Sequence, residues 1–138
     1  LQGLRASHNG DSKNHPSGKT RAERVQDGTI HMAQIDPGNA QTISSHPVVR
    51  IHPETGRKLL YIGGHTERFE GWTEAESQPL LDFLKANATR PEFTCRFRWS
   101  VNAMAMWDNR CCQHFAINDY DGYQRRMHKI MIKGDAPF

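Results

Sequence analysis

Apolar and polar positions change rhythm along this chain, and the rhythm predicts the elements. Phe93, Cys95, Phe97 and Trp99 alternate with Thr94, Arg96 and Arg98, the period of two expected of a half-buried strand. Met104, Met106 and Asp108 would share one face of the next strand, opposite Ala103, Ala105 and Trp107, with Asn102 at the turn between. A turn at Asp119-Tyr120-Asp121-Gly122 precedes a last strand expected from about Gln124 to Lys133. Upstream, His46 to Ile51 and Leu59 to Ile62 read as two strands of a hairpin. His52-Pro53-Glu54-Thr55-Gly56-Arg57 supplies the turn between them.

One helix is clear. Thr73 and Glu76 have the spacing of a capping box, and Leu80, Leu81, Phe83 and Leu84 follow at helical spacing. Pro79 is tolerable only in the first turns. The helix should end near Ala88, before Pro91. Residues 1–45 differ in texture. Leu1 to His8 reads as the end of a helix. Asn9 to Gln41 is rich in Gly, Asn, Asp, Ser, Lys and Gln and has no sustained period, which fits either a functional lid or a plain disordered stretch. The expected division is a mobile or lid-like segment over 1–45 and a strand-rich domain over 46–138. The fold class expected is mainly β with one or more packing helices, closing a sandwich or jelly roll.

Composition narrows the function classes. At 138 residues the chain suits one domain or a large piece of one. Net charge is +3, with nine basic and seven acidic groups in residues 1–70 and nine and eight in the rest. No basic block stands out, so nucleic acid is not an expected partner. The longest unbroken apolar run, Ala103 to Trp107, is far too short for a membrane span. Cys95, Cys111 and Cys112 are not a disulfide framework and point to a reducing, cytoplasmic setting. Eight histidines are the first compositional hint of chemistry.

The chemistry concentrates in Trp107-Asp108-Asn109-Arg110-Cys111-Cys112-Gln113-His114 and in Gln124-Arg125-Arg126-Met127-His128-Lys129. His114 and Arg125 are eleven residues apart, so an antiparallel pair of strands could bring both to one end of a sheet. An imidazole there can ligate a metal, and a guanidinium can hold a carboxylate through two parallel hydrogen bonds. From the residues alone, a structural His and a solvated Arg is the stronger reading.

From His46 to Phe138 the sequence resembles the C-terminal part of the iron(II)/2-oxoglutarate-dependent dioxygenases of the taurine dioxygenase and 2,4-dichlorophenoxyacetate dioxygenase family. The matching pieces are His46-Pro47-Val48-Val49-Arg50, His52-Pro53-Glu54-Thr55-Gly56-Arg57-Lys58, Trp107-Asp108-Asn109-Arg110 with His114 four residues on, Arg125 with Met127-His128, and Lys133-Gly134-Asp135. The resemblance implies the C-terminal part of a double-stranded β-helix, a jelly roll. It implies iron(II) on two His and one carboxylate, with open positions for 2-oxoglutarate and O₂. His114 matches the family's distal metal ligand. Arg125 matches its 2-oxoglutarate-binding arginine, and Lys129 stands where the family often has a second Arg. His65, in Gly63-Gly64-His65-Thr66, is a candidate substrate contact or loop filler.

The family's H-x-D, which carries the other metal ligands, does not occur here. His52-Pro53-Glu54 is read as a turn. The expectation is therefore a fragment of a longer oxidoreductase acting on a small, anionic organic substrate, a homo-oligomer being left open. The alternatives are a non-catalytic truncated descendant serving as a structural or partner-binding module, and a His-rich zinc module. Around the site, Trp107 and Asp108 should buttress His114, and Arg110 should make a structural ion pair. Cys111 and Cys112 should be packed thiols, His128 should face the core, and Arg126 should be solvated.

Overall fold

The structure is a computed structural model that describes residues 1–11, 18–28, 43–117 and 119–134. Among these residues, five strands and two helices run in the order β1 (Arg5–Asn9), α1 (Arg21–Gln26), β2 (Ile43–Pro47), β3 (Val49–Ile51), β4 (Lys58–Leu60), β5 (Thr66–Phe69) and α2 (Glu74–Ala88). A 3₁₀ turn, Pro91–Phe93, follows. β1 is the centre of an antiparallel sheet of order β2-β1-β5, and β3 and β4 form a separate hairpin. Neither helix is long and apolar enough to cross a membrane.

Leu1 to His8, expected as a helix end, instead leads into a strand with a neighbour on each side. Ala6 pairs with His46 on one flank and Phe69 on the other. Those two ladders outweigh a weak local pattern, as strand formation generally depends on context. Outside the ladders, Arg5 donates to the Ser45 hydroxyl and carbonyl and pairs with Glu70 at 3.6 Å. The lid expected over 9–41 lies mostly outside the described residues. Within the described part, α1 is closed by a Thr20/Glu23 capping box.

The hairpin forms as expected, Val49 facing Leu60 and Ile51 facing Lys58. Gly56 sits at φ +66° in its turn, where a side chain would be strained. The expected strand over His46 to Ile51 is split, however, at buried Val48. That residue donates to the Leu4 carbonyl at 3.0 Å and accepts from the Tyr61 N–H at 2.7 Å. It therefore bonds to the chain just before β1 on one side and to the chain just past β4 on the other.

α2 matches its prediction, with the reciprocal Thr73/Glu76 capping box and an end at Ala88. Pro79 lies in its second turn. Leu81 and Leu84 are buried against β5, whereas Phe83 faces out. Ser77 fastens helix to sheet: its hydroxyl accepts from the Phe69 N–H at 3.0 Å and donates to the Thr73 carbonyl at 2.8 Å. The core is Ala6, Val48, Ile62, Phe69, Leu81 and Leu84, with Leu4, Leu60 and Leu80 packed on its edge.

Residues 94–134 contain no helix or strand among the described positions. The strands expected over Phe93–Trp99, Ala103–Asp108 and Gln124–Lys133 are not formed. The local alternation survives, since Phe97 and Trp99 meet edge-on at 5.0 Å on one side of the chain. Among the described residues no second backbone pairs with these runs, and a strand is stabilised through its cross-strand neighbours. Phe97, Trp99, Met104 and Met106 are exposed as a result. Asn102, at φ +64°, makes the expected turn.

Candidate functional site

The His52 turn and the Trp107–His114 segment build one unit. Within the turn, the Gly56 N–H reaches the His52 carbonyl at 2.8 Å, and the N–H groups of Glu54 and Thr55 both point at His52 Nδ1 at 3.3 Å. With Nδ1 accepting, the imidazole proton is assigned to Nε2. Nε2 lies 3.1 Å from Asp108 Oδ2, so His52 donates across 56 residues of sequence. The His52 ring is buried, in a turn that is otherwise exposed.

Asp108 is the hub. The Arg110 guanidinium grips its carboxylate with Nε at 3.0 Å from both oxygens and Nη2 at 2.7 Å from Oδ2. The Arg110 backbone N–H adds a bond to Oδ1 at 2.8 Å. The Arg110 side chain first, then its backbone N–H and the His52 bond, hold the Asp108 carboxyl well below the usual carboxylate range. Arg110 also reaches Glu54 at 3.5 Å. It makes the structural ion pair expected of it, twice over.

The far end of the segment is fastened separately. Gln113 Nε2 donates to the Ile62 carbonyl at 2.6 Å. At Gly63 an added Cβ would come within 3.2 Å of Gln113 Oε1, so the glycine admits the amide. Between the two fastenings, the N–H groups of Cys111 and Cys112 turn back to the Asp108 carbonyl. The Trp107 ring lies 5.1 Å from the His114 ring, and its Nε1–H is tied to Asn109 at 2.9 Å. Trp107 and Asp108 do buttress the run that carries His114.

The sequence candidates fall as follows. His114 is exposed and touches Trp107. Arg125 is exposed, its guanidinium 5.5 Å from the centre of the Tyr120 ring. Among the described residues no hydrogen bond, ion pair or ring contact joins His114 to Arg125. Lys129 is exposed. His65 is exposed in the turn before β5, and its carbonyl accepts from the Asn9 N–H at 2.8 Å. His128 does not face the core but is exposed, because the strand meant to bury it is not paired. Arg126 is solvated as expected. All three cysteines are free and exposed rather than packed; Cys111 and Cys112 place their sulfurs 3.8 Å apart.

One group of potential metal donors gathers among the described residues: His52, Asp108 and Cys111, with ligand atoms within 4.8 Å of one another. His52 and Cys111 edge an open hollow of about 350 Å³ that Thr55, Arg57, Lys58 and Leu59 also line. This set does not suit iron(II). Both Asp108 oxygens are taken by Arg110, and that fixed positive charge opposes a dication. A cysteine stands in place of the second imidazole of the two-His, one-carboxylate arrangement. His114 belongs to no such group. A second H-x-E that the sequence reading passed over, His65-Thr66-Glu67, is also spoken for: Glu67 accepts from Asn9 Nδ2 at 3.0 Å.

Residues 1–131 match the family model described as taurine catabolism dioxygenase TauD, TfdA family. The chain belongs to this family. TauD/TfdA membership thus extends well upstream of His46, where the resemblance begins, and takes in β1. An alkylsulfatase of Acinetobacter baylyi is 41% identical over 93 residues, covering 67% of this chain and 29% of that protein. An alpha-ketoglutarate-dependent 2,4-dichlorophenoxyacetate dioxygenase of Cupriavidus pinatubonensis is 39% identical over 136 residues, 99% of this chain and 44% of that one. The chain therefore spans less than half the length of these relatives. A crystal structure described as an alpha-ketoglutarate-dependent 2,4-D dioxygenase from Burkholderia xenovorans superposes with a TM-score of 0.51 at 32% identity, over 71% of this chain and 34% of that one. The TauD/TfdA fold is mainly β with packing helices, and this chain forms part of that jelly roll. Family membership implies iron(II) and 2-oxoglutarate as cofactor and cosubstrate.

Proposed function

We propose that this chain is part of an iron(II)/2-oxoglutarate-dependent dioxygenase that oxidises a small, anionic organic substrate, releasing succinate and CO₂. His114 supplies one metal ligand in this reading, and the other two come from outside these 138 residues. Arg125 holds the distal carboxylate of 2-oxoglutarate, Lys129 adds positive charge beside it, and His65 contacts substrate.

The observation that carries the reading is the double fastening of Trp107–His114 to the hairpin through Asp108–His52 and Gln113–Ile62. A metal ligand must be held within a few tenths of an ångström, and the groups around it do that holding. A histidine on an otherwise unpaired stretch needs no such anchoring. The anchors orient His114; they move no proton themselves. The non-catalytic alternative draws on one observation, that the described residues gather no complete iron site.

A chimera tests the reading. Residues 1–131 would replace the matching stretch of the Cupriavidus pinatubonensis dioxygenase. The expected outcome is succinate formation from 2-oxoglutarate, with His114→Ala losing bound iron and at least about 1,000-fold of turnover, well beyond the ~10–100-fold that neighbouring support residues command. Arg125→Ala should raise the KM for 2-oxoglutarate about 10–100-fold, the worth of a hydrogen bond to a charged group. A folded, iron-loaded His114→Ala chimera with full turnover contradicts the proposal.

A further inference from the structure

Among the described residues, three buried side-chain nitrogens have no hydrogen-bond partner: His8 Nε2, His46 Nδ1 and Arg50 Nε. They are not scattered. His8 stacks on the Tyr61 ring at 5.3 Å, His46 meets it edge-on at 5.4 Å, and the Arg50 guanidinium carbon lies 4.5 Å from its centre. The two imidazoles are 5.1 Å apart. β1, β2, β3 and the residue just past β4 each contribute one member.

Arg50 is the decisive group. It is 7% exposed, and no carboxylate among the described residues pairs with it. Arg5, by contrast, is half exposed and has both Glu70 and Ser45. A guanidinium is always protonated, and burying one without a counter-charge is costly. The Tyr61 ring face offsets part of that cost at 4.5 Å but supplies no counter-charge.

The proton inventory indicates what fits. Thr66 Oγ1 accepts from the Gly63 N–H at 2.9 Å, which leaves its proton for His8 Nδ1 at 3.5 Å. Ser44 Oγ lies 2.9 Å from His46 Nε2 and can donate to it. With that assignment each ring carries its proton on the unpartnered nitrogen. All three orphans are then N–H donors, so each calls for an acceptor, and Arg50 calls for one that bears negative charge. A metal cation is excluded by Arg50, which can only donate.

We propose that His8, His46 and Arg50 bind a small oxoanion, a carboxylate or sulfate group, beside the Tyr61 ring. The site goes beyond the dioxygenase reading and shares no residue with it. Without the anion both imidazoles stay neutral. Burial, then His46 and His65, push His8 down to about 4. Burial, then Arg50 and Arg5, push His46 down as well. A bound anion reverses part of this by offsetting Arg50 and accepting from both rings.

The test uses the 138-residue chain with sodium sulfate, sodium formate and sodium chloride at matched ionic strength. Side-chain NMR follows the titration of His8 and His46. Sulfate or formate should shift both midpoints upward, and chloride should not; the same titration in all three salts overturns the proposal. Which of the two anions acts identifies the chemistry. Thermal unfolding of Arg50→Met supplies the second arm. Without added anion, this variant should melt no lower than the parent, since it removes an uncompensated buried charge. It should also lose the anion-specific rise in Tm, about 2–8 °C at tenfold over Kd, keeping only the general effect of sulfate on any protein. An Arg50→Met chain that melts lower and keeps the full anion response shows the guanidinium to be structural and overturns the assignment.

Discussion

β1 and the run from Phe93 to Trp99 make an instructive pair. The first has a poor strand pattern, Arg-Ala-Ser-His-Asn, yet it is the central strand of a sheet. The second alternates apolar and polar side chains cleanly, yet it pairs with nothing among the described residues. Backbone pairing decides between them. An alternating sequence specifies which face a strand would bury, whereas the strand itself exists only where another backbone offers its N–H and C=O groups. Ala6 found two such neighbours, and Phe97 found none.

The sharpest way to break this comparison is to cut both sides equally. Phe69→Ala should cost ~3–5 kcal/mol, the usual loss for a buried phenylalanine, and should melt the sheet and α2 together. Phe97→Ala should change stability by less than about 0.5 kcal/mol, as expected of a surface position. Urea unfolding of the two variants checks both, and an equal loss would mean that the C-terminal stretch shares the core.

Between pH 6.5 and 4, acid should act first on the sheet side. The His8 pKa is lowered to about 4 in the folded chain from an ordinary 6.5. Between those values the unfolded chain binds more protons, so stability is complete above pH 6.5 and is lost as pH falls toward 4. After allowance for solvent screening of a half-buried ring, the loss should be on the order of 1–2 kcal/mol. Denaturant midpoints across that window measure it, and His8→Gln should flatten the profile. Smallest of the three expected losses, Thr73→Ala should cost ~1 kcal/mol by removing the α2 cap. Hydrogen exchange should show it as faster exchange in the first turn of α2, with residues 94–107 unchanged.

Local signals carried α2 and the hairpin. The Thr73/Glu76 box and the Pro-Glu-Thr-Gly turn act within a few residues, so the sequence displays both cause and effect. β1 and β5 depend on partners tens of residues away, and no short window contains them. The same holds for the site. The motif around His114 could be read directly, but not its fastening: nothing in His52-Pro53-Glu54 announces that the ring will bond Asp108. His8 and Arg50 gave no signal at all, since an unpaired donor becomes evident only once its surroundings are known.

Val48 gives the site around Tyr61 its leverage. One fully buried peptide unit carries the chain from sheet to hairpin, with His46 two positions before it and Arg50 two positions after. An occupant gripping both residues would span that corner like a brace across a door frame. Its arrival would stiffen the angle between the two β layers, and the hairpin is the layer to which Asp108 and Gln113 moor His114.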